Sequence, residues 1–300
     1  MYLATVTCNR DFQQMLLQAE SIQKFVEPCN HVIVVNEDKP DIDFWYRWLK
    51  PYYNNHNLSI IPRIPYYFPT SFLGTGFNQS PSGDASSNGW RTQQLQKLLL
   101  AYDFEDDYLL LDSKNFFTKK TNINEWDDII GSGAFLRLGD GNPFSSSCKL
   151  YSDLLEKPMD CYLRAQTPFK VARDPFIKKC KRTELAYLLF YPEFKGSPAT
   201  EGIFYSHFVK DEIDKFISTY KPDDRNYLTV WSHNRSEVAR LLFDISLSDK
   251  IKIVAFHREL LSNIDDKELE IINFWLGSDN PKFGLGLKNK IYPMPRDSHV

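Results

Sequence analysis

Disulfide and zinc chemistry are the first classes to fall away: the chain has five cysteines, at 8, 29, 148, 161 and 180, an odd number with no C-x-x-C pair. Such spacing fits reduced thiols in a cytosol. Charge of one sign is also lacking. The 36 basic and 39 acidic residues leave a net charge of −3, which offers no general attraction to a polyanion, so nucleic acid is not an expected partner. No apolar run reaches the roughly 18 residues that a bilayer span needs, which excludes a transmembrane segment. The pattern LATVT starts at residue 3 with no basic and apolar leader before it, so the expected location is cytoplasmic. A Gly-rich phosphate loop of the G-x-G-x-x-[RK] type is missing near that first stretch, which counts against nucleotidyl transfer. Internal repeats and a clean linker are absent too.

What is present is 42% apolar and 15% aromatic content, enough for a substantial core in one large domain or two small ones. Leu3–Thr7 read as a strand, with Cys8, Asn9, Arg10 and Asp11 as the polar turn after it and Asp11 as a cap for the next helix. Met15, Leu16, Ala19, Ile22 and Phe25 predict a helix over 12–26, closed by Pro28. A strand over 31–35, a helix over 42–52 and a strand over 58–62 complete a βαβαβ run, the opening of a Rossmann-like half. Residues 64–88 have loop composition, and their length and aromatics suggest a cover over a site. The second half is more helical, with helices expected over 146–155, 176–191, 203–220, 236–247 and 265–275, and a strand over 251–256.

The stretch from Trp90 to Phe117 organises the rest. Leu95, Leu98, Leu99 and Tyr102 give a helix an inward face, with Arg91, Gln93, Gln94 and Lys97 on other faces. Tyr108–Leu111 form a strand that stops at Asp112, Ser113, Lys114 and Asn115, and open α/β sheets collect ligands beyond such carboxyl ends. Asp112 there suits a divalent ion that holds a diphosphate, or equally the capping of a turn. Thr7, Arg10 and Asn36 end the first two strands and can line a nucleotide pocket, while Glu37 and Asp38 read as solvated. Trp90, Gln93, Gln94 and Lys97 share one helical stripe, which suits a stacking face, amide donors and a cation, or ordinary packing.

The order of TxxxxxD, a second strand with a polar end, WxxQQxxK and LLLDSKN resembles GT-A glycosyltransferases, in particular a bacterial and viral branch, over residues 1–140 and more loosely in TEGIFYSHF at 200–208. The resemblance implies an α/β fold, a GT-A-like Rossmann-type mixed sheet flanked by helices. Residues 1–140 would form the nucleotide-sugar-binding half and residues 141–300 a more helical acceptor-side half of the same domain. It implies transfer of a sugar from a nucleotide-diphosphate sugar to a glycan or other hydroxyl acceptor, or an inactive binding module on the same fold. Asp112 matches the first acid of the family's D-x-D motif, but Lys114 stands where the second should be. A manganese or magnesium ion would then be held weakly through Asp112 or not at all, with the Lys114 ammonium meeting the diphosphate oxygens. Thr7, Arg10, Asn36, Trp90, Gln93, Gln94, Lys97 and Asn115 are the implied donor-side residues. Asp112 and Lys114 are implied catalytic residues, with Glu201 as candidate base beside Tyr205 on the acceptor side and His207 nearby. An acid in a first helical turn also serves the helix dipole without any catalytic role. His233 and His257 stand where this fold can supply a late metal ligand, and with one acid in the motif neither is assigned.

Overall fold

The computed structural model describes residues 1–66, 88–126, 135–137, 145–159, 161–163, 167–189, 200–211, 214, 226–230, 237–256 and 265–276. Most of the expected 64–88 loop, His233 and His257 lie outside the described residues. The chain divides into two interleaved units, Met1–Pro62 with Leu111–Asp127 and Pro222–Val300, and Arg63–Leu110 with Asp128–Lys221.

The first unit opens as the hydrophobic pattern requires: β1 (Tyr2–Thr7), α1 (Phe12–Phe25), β2 (Asn30–Val35), α2 (Ile42–Leu49) and β3 (Asn57–Pro62). The three strands are parallel, in register from Tyr2↔Asn30 to Thr7↔Val35 and from Asn30↔Asn57 to Val35↔Pro62. Leu3, Ala4, Val6, Ile33, Val34 and Val35 are fully buried, the continuous apolar run of strands covered on both faces. β3, at the edge of the sheet order, alternates with exposure and ends in a proline that a central strand would not tolerate. β4 (Tyr108–Asp112) follows β1 in that order and carries its last residues into this unit. A second sheet joins β5 (Asn115–Phe117) antiparallel to Ile253–Phe256, which runs parallel to Tyr227–Val230. α1 packs against β5, and Trp45 of α2 meets Phe12 edge-on at 4.9 Å. The helix Asp266–Leu276 starts in a reciprocal cap: the Glu268 N–H donates to Asp265 Oδ1 and the Asp265 N–H to Glu268 Oε2, both at 2.9 Å.

In the second unit, α3 (Asn88–Asp103) packs with α5 (Arg173–Lys179), α6 (Arg182–Leu189) and α7 (Glu201–Ser206), and the first residues of β4 pair antiparallel with β8 (Phe169–Val171). Parallel and antiparallel pairs flanked by helices make this a mixed α/β fold. β6 (Phe135–Arg137) pairs with β7 (Cys161–Leu163), and α4 (Ser145–Leu154) packs on α7. Two helical expectations change. The helix over 176–191 is two helices, because the backbone turns extended at Cys180. The helix over 203–220 stops at Ser206: the N–H groups of His207 and Phe208 bond back three residues, to Phe204 and Tyr205, which tightens the chain out of the α-helix. Among the described residues no helix is long and apolar enough to cross a membrane.

A line of polar side chains runs through the apolar interior of the first unit. Gln18 Nε2 donates to the carbonyls of Asp112 at 2.7 Å and Asn115 at 2.9 Å, which leaves its Oε1 to accept from Thr5 Oγ1 at 2.9 Å. The Thr5 oxygen then accepts from His31 Nε2 at 2.9 Å, and His31 Nδ1 accepts from the Tyr53 hydroxyl at 2.8 Å. Because Thr5 spends its proton on Gln18, His31 donates from Nε2, and a ring kept neutral by burial then accepts at Nδ1. Thr5, Gln18 and His31 are fully buried, and burial pushes the imidazole down to about 3. In the second unit burial likewise pushes His207 down to about 4.

Both histidines bind fewer protons folded than unfolded, so unfolding takes up protons and stability is lost as pH falls below the ordinary histidine value of about 6.5. Denaturant titrations at pH 7, 5.5 and 4.5 are expected to show a decline approaching 1.4 kcal/mol per pH unit for each histidine, ahead of the carboxylate range. A flat profile over that interval would show that neither imidazole is held neutral.

Candidate functional site

In the first unit, the carboxyl ends of β1 and β2 and the turn after β4 are tied together by hydrogen bonds. The Asn36 N–H donates to Thr7 O at 2.7 Å and the Asn9 N–H to Glu37 Oε1 at 2.9 Å. Glu37, expected to be solvated, thus holds the turn after β1. Ser113 Oγ lies 3.1 Å from both Asp11 Oδ2 and Gln14 Oε1, joining the β4 turn to the start of α1. Asp11 is the N-cap residue of α1 but makes no side-chain capping bond; its carboxylate takes Ser113 and, at 3.7 Å, the Cys8 thiol instead. Burial, and next Asp11, push that thiol up to about 12 against the opposing pull of Arg10, so it is not a nucleophile at neutral pH.

The turn itself is closed by the Asp112 N–H donating to Asn115 Oδ1 at 2.7 Å. Asn115 is fully buried and spends its side-chain oxygen on that closure. The Lys114 ammonium lies 3.2 Å from Asp112 Oδ2, with side chains 24% and 14% exposed. A divalent ion fits this set poorly. At about 4 Å and an effective dielectric of about 20, each pair of unit charges contributes about 4 kcal/mol, repulsive between an ammonium and a cation. Among the described residues no three His, Cys, Asp or Glu side chains gather into a metal-binding group. Thr7 and Asn9 are buried, and Thr7 Oγ1 and Asn9 Oδ1 have no hydrogen-bond partner among the described residues. Arg10 is exposed on the short 3-10 turn Asn9–Asp11 between β1 and α1.

The second unit gathers another polar cluster. Lys97 Nζ donates to Glu201 Oε1 at 2.6 Å, with side chains only 4% and 2% exposed, and Gln94 with its amide nitrogen toward Glu201 donates to the same carboxylate. The helical stripe therefore does converge, for Gln94 and Lys97, but on an internal carboxylate. Arg91, Gln94 and Lys97, expected on outward faces, are buried because α3 is covered on nearly every side. Gln93 is half-buried, and the side chain of Trp90 lies outside the described residues. Glu201, read as a base, is held by an ammonium and an amide and closed to solvent. Tyr205, read as an acceptor contact, is fully buried instead. Its hydroxyl accepts from the Ala172 N–H at 2.6 Å and its ring packs between Phe169 and Phe176. Asn9, Gln14 and Gln18 were not singled out from sequence. The signal for Gln18 was a glutamine among the apolar positions of α1, which composition alone does not distinguish from a surface residue.

No protein-family model matches the chain, and no curated protein matches it in sequence. Solved structures resemble it in fold. The bifunctional glycosyltransferase WbbM has a TM-score of 0.51 at 13% identity over 96% of this chain and 51% of its own. The glycosyltransferase GlyE of Streptococcus pneumoniae has 0.48 at 12% over 100% and 67%, and mouse xyloside xylosyltransferase 1 has 0.45 at 10% over 86% and 99%. The chain spans about half the length of WbbM. The likeness to WbbM shows the fold alone, a mixed α/β arrangement.

Removing one partner of a buried pair strands a charge, at about 3–5 kcal/mol, whereas replacing both with apolar groups of similar volume is often neutral. Lys97→Met and Glu201→Leu are each expected to lower stability by that amount, and the double variant to recover most of it in urea titrations. Additive losses would show that the two side chains are not coupled.

Proposed function

We propose that the chain transfers a sugar from a nucleotide-diphosphate sugar to a hydroxyl acceptor, such as a glycan. The observation that carries this is the cluster at the carboxyl ends of the adjacent parallel strands β1 and β2, where buried Thr7 Oγ1 and Asn9 Oδ1 await partners beside the turn bearing Lys114. A nucleoside offers the hydroxyls, amides and ring nitrogens that would satisfy such groups, and ligands of open α/β sheets bind at these strand ends. In this reading Thr7, Asn9 and Asn36 meet the nucleoside, and Arg10 and Lys114 meet the diphosphate.

Bond cleavage between sugar and diphosphate leaves negative charge on the departing oxygens, and a fixed cation there stabilises the transition state. Lys114 supplies it, and Asp112 holds the ammonium in place at 3.2 Å. Lys97 and Glu201 enter as an internal ion pair of the second unit, and the general base is not assigned among the described residues. A second reading has one specific observation in its favour. The Asp112–Lys114 pair leaves the D-x-D position without its usual acid chemistry, which suits a protein that binds a nucleotide-sugar without transferring it.

Calorimetric titration with UDP and GDP tests both. Binding is expected to change little between chelator and added manganese, and to weaken at least about tenfold, or 1.4 kcal/mol, in Lys114→Ala. Tight binding that vanishes with chelator in a protein indifferent to Lys114→Ala would overturn the assignment. Release of UDP or GDP from their sugar conjugates separates the transferase from the binder.

A further inference from the structure

We infer that Gln18 is a positioning residue for the turn that carries Asp112 and Lys114, held in its working orientation by the buried relay Tyr53–His31–Thr5. The two N–H groups of its amide reach the carbonyls of Asp112 and Asn115, the first and last residues of the turn, from inside the unit. The turn is also held by the Asp112 N–H to Asn115 Oδ1, by the Phe256 N–H to Lys114 O at 3.1 Å, and by Ser113 Oγ at Asp11 and Gln14. Three of its four carbonyls are thereby engaged, two of them by one side chain from α1.

An amide can rotate by half a turn and present oxygen where nitrogen was. Here that would set Gln18 Oε1 against two carbonyl oxygens, and it would also require every bond of the relay to reverse, with the His31 proton moved to Nδ1. Thr5 donates to Gln18 Oε1, so its oxygen is left to accept from His31 Nε2, and a neutral His31 protonated there has Nδ1 free to accept from the Tyr53 hydroxyl. With Thr5, His31 and Gln18 fully buried and Tyr53 1% exposed, solvent offers no substitute partner. The two carbonyls and the Nε2–H relay therefore agree on one direction of the amide, and the amide sets the spacing of the turn's two ends.

This deepens the nucleotide-sugar reading, and the experiment separates the two. Hydrogen exchange of the 112–115 amides and UDP titration are measured in the wild type, Gln18→Leu, Gln18→Glu, Thr5→Val and Thr5→Ser. Exchange at 112–115 is expected to accelerate on the order of tenfold or more in the first three variants, with β2 amides such as Ile33 and Val34 close to wild type. Thr5→Ser, which keeps the hydroxyl, is expected to restore slow exchange. Gln18→Glu is the sharpest arm, since it matches the native size but points oxygen at two carbonyls. Nitrogen-15 spectra of His31 in the unaltered protein are expected to show the Nε2–H tautomer, a readout that needs no variant to fold. Unchanged exchange in Gln18→Leu and Gln18→Glu, or an Nδ1–H tautomer, would overturn the inference whatever the chain binds. A wild type that ignores UDP and GDP would instead count against the proposed function, leaving the exchange arm to decide on Gln18. Weaker UDP binding in step with faster exchange joins the two.

Discussion

The two N–H groups of the Gln18 amide, each committed to a carbonyl of the 112–115 turn, are where the interior of the first unit meets its candidate site. A glutamine enclosed by apolar side chains is tolerable only when donors and acceptor are all matched, because each unmatched group costs about 1–3 kcal/mol. That constraint propagates backward through Thr5 and His31 to Tyr53, and each of these residues sits on a different element: β1, β2 and the chain between α2 and β3. The parallel register that sets Leu3 beside His31 is therefore tied to the same network as the turn's shape.

The second unit handles buried polarity differently. α3 carries Arg91, Gln94, Gln96 and Lys97 into an interior where a helix would ordinarily be apolar. Gln96 closes on one backbone residue, accepting from the Ile64 N–H at 2.7 Å and donating to its carbonyl at 3.0 Å. Lys97 and Gln94 close on Glu201 at the start of α7, while Tyr108 donates to the Lys97 carbonyl at 2.7 Å. Such partners add little net stability over apolar packing, but each specifies which neighbour the helix must meet.

Much of the frame was legible in the sequence. Short apolar, β-branched runs and helical periodicity mark β1, α1, β2, α2, β3, α3 and β4 within a few residues, because such elements bury their pattern directly. Three-residue strands such as β5, β7 and β8 were not, since their pairing depends on distant partners and three positions carry no period. The site was legible as strand ends but not as bonds. The sequence stripe linked Gln94 and Lys97 yet said nothing of Glu201 as their shared target, and Tyr205 looked like a contact residue because a tyrosine's polar tip gives no sign that a backbone amide at Ala172 will claim it.

The pairing of β5 with Ile253–Phe256 bears on the order in which the first unit can be made. Thr118 Oγ1 donates to the Ile251 carbonyl across a separation of 133 residues, and the last of these bonds runs from the Phe256 amide to the Lys114 carbonyl. A chain emerging from the ribosome presents β1, β2 and β3 early, yet the strand that fastens the turn appears only after the whole second unit has been synthesised. For that interval β5 has an open edge of Asn115, Phe116 and Phe117, two of them large aromatics. A nascent chain stalled before residue 251 would hold its nucleotide-side strands while exposing that edge, a template for pairing with other chains.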